Sequence, residues 1–336
     1  MTEYAQLIVD SIKKGLTGDY NEDMVILHNA SEKYKNDEES TDILGEIATL
    51  MFEILPDSEK SQLASRFEEM KSGVATDFVA VKEMIKGGDF MKAKATMESI
   101  LAAVEGSYEE NDDSIYMSFN HIMEMYIYSF YYKPTKKVKS VDIEYNEFYR
   151  TYGFILANLE EYEAAIIAHK KAMKWNPVDL DSMLSLCEVY KRKNDLDNFL
   201  NTTKEAYRYC CTRATMARFY RNVAFYYVEK YKPEVARALY AYSNIYFKTE
   251  NADKELAYIE KSIDCKTPEY DLVTLQHILN ENDIEPGPDS TTIGIIYRVG
   301  QLMMEEGDNV KAKDCFLVVF DITQDAEVRE LIEKLQ

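Results

Sequence analysis

Residues at a fixed interval of 34 positions match along the middle of this 336-residue sequence. The segments EYNEFYRTYGFILANLEEY and LEEYEAAIIAHKKAMKWNP, which together span residues 144–177, each carry apolar side chains at helical spacing. Their connection near Glu160 and Glu161 is too short for anything but an antiparallel helical hairpin. The matched positions are Gly153 and Cys187, Ala165 and Phe199, Ala172 and Ala206, and Pro177 and Cys211. A lone hairpin cannot bury its apolar face, so the interval predicts hairpins stacked on like neighbours.

The order of residue types within one interval is also characteristic. Two aromatic residues, a glycine, a leucine, an alanine, a further ring, another alanine and a proline follow one another at set offsets. They are Tyr149, Tyr152, Gly153, Leu156, Ala165, His169, Ala172 and Pro177. A third unit, shifted by three residues, holds Tyr220, Ala224, Tyr227, Ala236, Tyr240 and Ser243. This pattern resembles the tetratricopeptide repeat family, although Tyr149 replaces the usual tryptophan and His169 stands at an aromatic position.

The resemblance implies an all-α fold, a right-handed α-solenoid of stacked antiparallel helical hairpins. We expect one elongated domain over residues 1–336. Its parts are an irregular helical half over 1–145, regular units over 146–250, degenerate units over 251–324 and a capping helix over 325–336. Residues 107–145 look helical as well. The lysine-rich loop Lys133–Lys139 leaves a second possibility open, namely a hinge between two halves.

Charge and composition exclude several classes of function. The formal net charge of −21 repels phosphate backbones, so we expect no nucleic-acid partner. The sequence contains neither a secretory signal pattern nor a long uncharged apolar run, which predicts a cytoplasmic protein that does not enter membranes. The five cysteines form no C-x-x-C pair and are expected to be free thiols. The four histidines are scattered, and phosphate-binding glycine loops and nucleophile elbows are missing. We therefore expect no enzyme activity, no cofactor, no metal and no catalytic residue.

A binding surface follows from the resemblance, because the first helix of each hairpin lines the concave groove in this family. The expected groove residues are Arg150, Phe154, Asn158, Leu184, Glu188, Arg192, Arg218, Arg221, Asn222 and Phe225. Between Lys204 and Arg237 the sequence holds eight basic and three acidic residues, a local charge of +5 in a strongly acidic chain. Since arginine pairs with carboxylates through forked hydrogen bonds, this island predicts a carboxylate-rich partner.

The leading hypothesis is thus a non-enzymatic scaffold that binds a protein or peptide in the groove around Arg150, Phe154, Arg218, Arg221 and Phe225. Two alternatives remain open at this point. In one, the repeats mediate self-association and the protein is a homo-oligomeric structural component. In the other, the chain senses small signalling peptides, although residues 1–72 lack the basic surface that a DNA-binding output domain would need.

Overall fold

The computed structural model describes residues 2–35, 37, 39–108 and 110–335. Its chain divides into two compact units, Met1–Val79 and Ala80–Gln336, where the sequence predicts one continuous domain. The boundary falls inside a long helix rather than at the Lys133–Lys139 loop. Residues 1 and 336, the limits of the predicted ranges, lie outside the described residues.

The first unit is built from α1 (Glu3–Gly15), α2 (Tyr20–Tyr34), α3 (Ser40–Ile54) and the start of α4 (Asp57–Lys86). Leu27, Ile43 and Ile47 form the centre of its core and are fully buried. Asp23 ties the α1–α2 loop, because its carboxylate accepts from the backbone N–H groups of Thr17 (2.6 Å) and Gly18 (3.0 Å). The Thr17 bond lowers the pKa of Asp23.

The second unit contains the remaining elements. They are α5 (Phe90–Val104), β1 (Ser114–Met117), α6 (Ile122–Tyr132), β2 (Lys137–Ser140), α7 (Tyr145–Asn158), α8 (Tyr162–Trp175), α9 (Leu180–Arg192), α10 (Leu196–Ala206), a 3₁₀ turn (Tyr207–Tyr209), α11 (Arg213–Glu229), α12 (Pro233–Tyr246), α13 (Glu250–Ile263), α14 (Leu272–Glu281), α15 (Ser290–Glu305), α16 (Asn309–Thr323) and α17 (Ala326–Lys334). The predicted all-α repeat architecture is confirmed.

Four helical hairpins of the second unit bury side chains at the same offsets. Relative to a small residue in the first helix, the residues 12, 16 and 19 positions later in the second helix are all buried. The sets are Gly153, Ala165, His169 and Ala172 in α7/α8; Cys187, Phe199, Thr203 and Ala206 in α9/α10; Ala224, Ala236, Tyr240 and Ser243 in α11/α12; and Gly300, Ala312, Phe316 and Val319 in α15/α16. Val81, Ala93, Met97 and Ile100 are buried at these offsets in α4 and α5. These positions are local within each hairpin, which explains why a sequence pattern reveals them.

The small residue is needed because the two helices approach closely at that point. A Cβ atom on Gly153 would lie 2.6 Å from Nε2 of His169, and one on Gly300 would lie 2.8 Å from Cε1 of Phe316. At the corresponding place in α9/α10, Cys187 Sγ contacts a hydroxyl oxygen, that of Thr203, at 3.4 Å. In α7/α8 and α15/α16, the ring of the second helix thus packs over the backbone of the first.

Residues 107–145 depart from the predicted helix. Two short strands, β1 and β2, pair in parallel with Ser114 opposite Lys137 and Met117 opposite Ser140, and α6 connects them. The segment Lys133–Lys139, for which a hinge is the alternative to one domain, includes the first residues of β2. The helix α6 packs against α15 and shares an apolar cluster with Val178 and Cys211. This segment belongs to the core of the second unit.

Candidate functional site

Side-chain hydrogen bonds join the successive first helices α7, α9 and α11. Arg192 Nη1 donates to the carbonyl oxygen of Ala157 (3.5 Å), which joins α9 to α7. Arg218 Nη2 donates to the carbonyl oxygen of Leu184 (3.4 Å), which joins α11 to α9. We call the solvent-facing side of these three helices the first-helix face. Arg192 and Arg218 thus bond to carbonyl groups on the preceding repeat.

Arg150 has a structural role on this face. Its Nη1 atom lies 3.3 Å from Asp179 Oδ2 and 3.4 Å from Asp181 Oδ2. Asp179 is nearly fully buried and also accepts from Asn120 Nδ2 at 3.3 Å. A buried carboxylate needs a compensating charge, so Arg150 is required where it lies and is a weak candidate for ligand binding.

Arg221 and Leu184 also differ from the expected free groove residues. Arg221 Nη1 donates to the carbonyl oxygen of Phe247 (3.1 Å) and to Thr249 Oγ1 (3.3 Å). These bonds fasten α11 to the end of α12 and the start of α13. The expectation that Leu184 is available to a partner is wrong, because its side chain is 2% exposed and packs with Met183 and Ala206.

The remaining predicted residues keep part of their surface. Phe154 is 43% exposed, and its ring centroid lies 6.2 Å from that of Phe90. Phe225 is half-buried against Phe199, and the Nζ atom of Lys191 lies 4.0 Å from its ring centroid. Arg218 is exposed. Asn158 donates to the carbonyl oxygen of Phe154, Glu188 pairs with Arg192 at 3.5 Å, and Asn222 is half-buried.

The basic island of residues 204–237 is used in a way that its sequence does not show. Arg213 Nε donates to the carbonyl oxygen of Tyr246 at 2.9 Å. Arg237 is 2% exposed and donates to the carbonyl oxygens of Cys265 (3.3 Å) and Lys266 (3.0 Å). Most arginines of the island therefore satisfy backbone carbonyls at helix ends, and the charge left for a partner is smaller than the count suggests.

Lys204 and Arg208 belong to a different part of the surface. They line a cavity of about 600 Å³ together with Lys170 and Lys174 of α8. Tyr132, Tyr207, Tyr209 and Met173 supply much of the rest of the wall. Sequence reasoning misses this cavity because it considers first helices, whereas these four cations lie on and just after second helices. A search for basic pairs 34 residues apart finds them.

An aromatic contact holds the guanidinium group of Arg208 in the wall of this cavity. The Cζ atom of Arg208 lies 4.3 Å from the ring centroid of Tyr131. The hydroxyl of Tyr132 donates to the carbonyl oxygen of Pro177 at 3.3 Å. Burial raises the pKa of Tyr207 to about 12 and also raises the pKa of Tyr209, so both hydroxyl groups stay protonated at neutral pH.

A buried polar network lies beside the cavity and secures α6. The Oε2 atom of Glu124 accepts from the side chain of Asn176 (2.8 Å) and from the backbone N–H of Asn120 (2.7 Å). Burial raises the pKa of Glu124. Asn146 Nδ2 donates to the side-chain oxygen of Asn120 at 2.8 Å. These bonds connect α6 with α7 and the α8–α9 loop.

The part of the chain that the structure describes holds neither a metal-binding group of side chains nor a helix that could span a membrane. No group of three or more His, Cys, Asp or Glu side chains there is placed to hold a metal ion. Within the same residues, no helix combines the length and apolar character that a bilayer-spanning segment needs. Burial, and secondarily Arg150, lowers the pKa of His169 to about 4, so this histidine is neutral at neutral pH and packs as a ring.

Comparison with known proteins finds structural neighbours but no match by sequence. No family model matches the sequence, and no curated protein matches it. A tetratricopeptide repeat protein from Parabacteroides merdae aligns with a TM-score of 0.38 and 9% identity, over 79% of this chain and 99% of its own. YrrB, a TPR protein with an unusual peptide-binding site, aligns with a TM-score of 0.28 and 13% identity, over 56% of this chain and 91% of its own. Both are of the repeat class that the sequence predicts. At these scores neither carries an argument about function.

Proposed function

We propose that this protein is a non-enzymatic interaction scaffold that binds an acidic protein or peptide segment along the first-helix face. The observation that carries the proposal is the pairing of an exposed cation with a half-buried ring on α11. Arg218 is exposed, and about two helical turns further on Phe225 lies under Lys191 of α9. A segment with carboxylates and an apolar side chain would find partners for both there.

The energies require both kinds of contact. Charge-assisted hydrogen bonds contribute about 1.5–3 kcal/mol each, so two carboxylate contacts to Arg218 and Lys191 would supply about 3–6 kcal/mol. Micromolar affinity corresponds to about 8 kcal/mol after the entropy of association is lost. Burial of the exposed parts of Phe154 and Phe225 would supply the rest, at about 25 cal/mol per Å². Glu188, on the same face, restricts where a second carboxylate can lie.

The direct test is binding of a library of fluorescent peptides in which acidic peptides are paired with their Asn and Gln counterparts. We expect selected acidic peptides to bind the full chain, and Arg218→Glu to weaken them at least tenfold, a loss of about 1.4 kcal/mol. Arg66→Glu, at an exposed position of α4, makes the same charge change in the first unit and is the matched control.

Two results would count against the proposal. Equal binding of the acidic peptides and their amide counterparts would show that carboxylates are not recognised. Undiminished binding by Arg218→Glu, with a melting temperature equal to that of the native chain, would show that the first-helix face is not the binding site. Arg221 is unsuitable for this test because its bonds to Phe247 and Thr249 stabilise the fold.

A further inference from the structure

Four cations of the cavity described above form a two-by-two array that the repeat itself generates. Lys170 and Lys174 are four residues apart on α8, and Lys204 and Arg208 are four residues apart at the end of α10. Each member of the first pair lies 34 residues before its counterpart in the second. We propose that this cavity binds an oligophosphate, a linear anion with two or more linked phosphoryl groups, at a site separate from the first-helix face.

Four cations and two carboxylates line this cavity. Among the described residues, no ion pair joins Lys170, Lys174 or Lys204 to a carboxylate. Two carboxylates lie in the cavity wall, and one of them, Asp289, caps α15 by accepting from Thr292 N at 2.8 Å. Glu205 is the remaining acid. Four cations grouped around one cavity repel one another, and an anion bound among them would remove that repulsion.

Helix termini account for part of this cluster. Lysines favour the last turn of a helix, where the carbonyl groups carry partial negative charge, and Lys174 and Lys204 occupy such positions. Lys170 lies a turn earlier on α8, and Arg208 follows α10 within the 3₁₀ turn. The terminus effect therefore covers Lys174, Lys204 and, in the 3₁₀ turn, Arg208, and leaves Lys170 unexplained.

The spacing of the array selects a long anion. Residues four apart on a helix have Cβ atoms about 5–6 Å apart. The two pairs lie on successive second helices, α8 and α10, and both helices pack against α9. All four side chains would have to converge on one point to contact a single phosphate. A chain of phosphoryl groups can contact both pairs.

The donor types also favour phosphate over the carboxylates of a peptide. Arg208 is oriented by the ring of Tyr131, which presents its planar fork of N–H donors. The lysines add mobile point charges, and arginine with lysine is a common combination around phosphoryl oxygens. Peptide carboxylates carry one charge each on separate side chains, whereas an oligophosphate concentrates several charges in a volume that the cavity of about 600 Å³ accommodates.

The proposal can be tested by titration calorimetry of the full chain with inorganic tripolyphosphate. We expect saturable binding, with orthophosphate at least tenfold weaker because it presents one phosphoryl group and less charge to the two pairs. The double variant Lys174→Glu/Lys204→Glu should lose at least tenfold in affinity. Lys254→Glu/Lys261→Glu on α13 is the control, because it makes the same change in formal charge away from the cavity lining. Arg208→Lys keeps the charge, and we expect it to weaken binding by removing the fork.

Further arms separate the sources of the phosphate chain. Tighter binding of ATP than of tripolyphosphate would identify a nucleotide as the ligand. Equal binding of the two would identify an inorganic phosphate chain. Either result agrees with the proposal. Equal affinity for orthophosphate, equally tight binding of hexaglutamate, an equal loss in the control variant, or no binding at millimolar tripolyphosphate would each overturn it. Arg218→Glu should leave tripolyphosphate binding unchanged, so this proposal and that of the first-helix face can fail separately.

Discussion

Gly300 and Phe316 provide the sharpest test of how the helical hairpins pack. Gly300 lies in α15, and the ring of Phe316 in α16 is fully buried against it. A Cβ atom at position 300 would lie 2.8 Å from Cε1 of that ring and 3.0 Å from Cδ1 and Cζ. Carbon atoms in contact are normally about 3.5–4.0 Å apart. The substitution Gly300→Ala therefore forces the ring or the helix to move.

Two effects of opposite sign determine the magnitude. Adding a methyl group to a packed core costs about 1–3 kcal/mol. Replacing glycine by alanine within a helix stabilises it by about 0.5–1 kcal/mol. We expect Gly300→Ala to lower the free energy of unfolding by up to about 2 kcal/mol. Gly294→Ala is the matched control in the same helix, because no atom lies within 4 Å of its added Cβ, and it should be neutral to stabilising.

The assay is urea denaturation followed by the fluorescence of Trp175, the single tryptophan, which reports on the second unit. Its ring stacks on Tyr145 at a centroid distance of 4.0 Å, so unfolding should change its emission. Phe316→Ala removes the ring, and in that background Gly300→Ala should no longer destabilise. If Gly300→Ala and Gly294→Ala are equally stable, or if the Phe316 variant leaves the effect of Gly300→Ala unchanged, the inferred close packing is wrong.

Two other predictions concern titratable groups. The pKa of His169 is lowered to about 4 in the native chain and is about 6.5 in the unfolded chain. Between about pH 6.5 and about pH 4 the unfolded chain therefore binds a proton that the native chain does not. The free energy of unfolding should fall as the pH falls through this range, by up to about 1.4 kcal/mol per pH unit. His169→Phe should reduce that slope in urea denaturation, and equal slopes for both chains would contradict the assignment. Cys265 is the exposed cysteine, whereas Cys187 and Cys315 are buried and their pKa values are raised to about 11. A thiol reagent added to the native chain should therefore label Cys265 first, as peptide mapping would show. Labelling of Cys187 at the same rate would show that the α9/α10 core is open.

Several features of this protein follow from local sequence alone. The offsets that join Gly153 to Ala165, His169 and Ala172 lie within a single hairpin, so the helical period and a short turn are enough to bring these residues together. Equivalent positions of successive first helices recur after 34 residues from α7 to α9 and after 37 from α9 to α11, so the order of these helices also follows from the sequence. The strands β1 and β2 escape prediction because each has four residues and neither shows a sustained alternation of apolar and polar side chains.

The availability of charges was decided by tertiary structure. An arginine's sequence neighbours do not show which carbonyl groups its side chain reaches, and the partners of Arg221 and Arg237 lie 26 to 29 residues away. Leu184 was misplaced because successive helical residues differ by about 100° in direction, so a small error in helix rotation converts an exposed position into a buried one. The sequence thus determined a repeat of close-packed hairpins, because that information is local and periodic. Which cations are bonded to the protein and which remain for a ligand depended on contacts between distant segments.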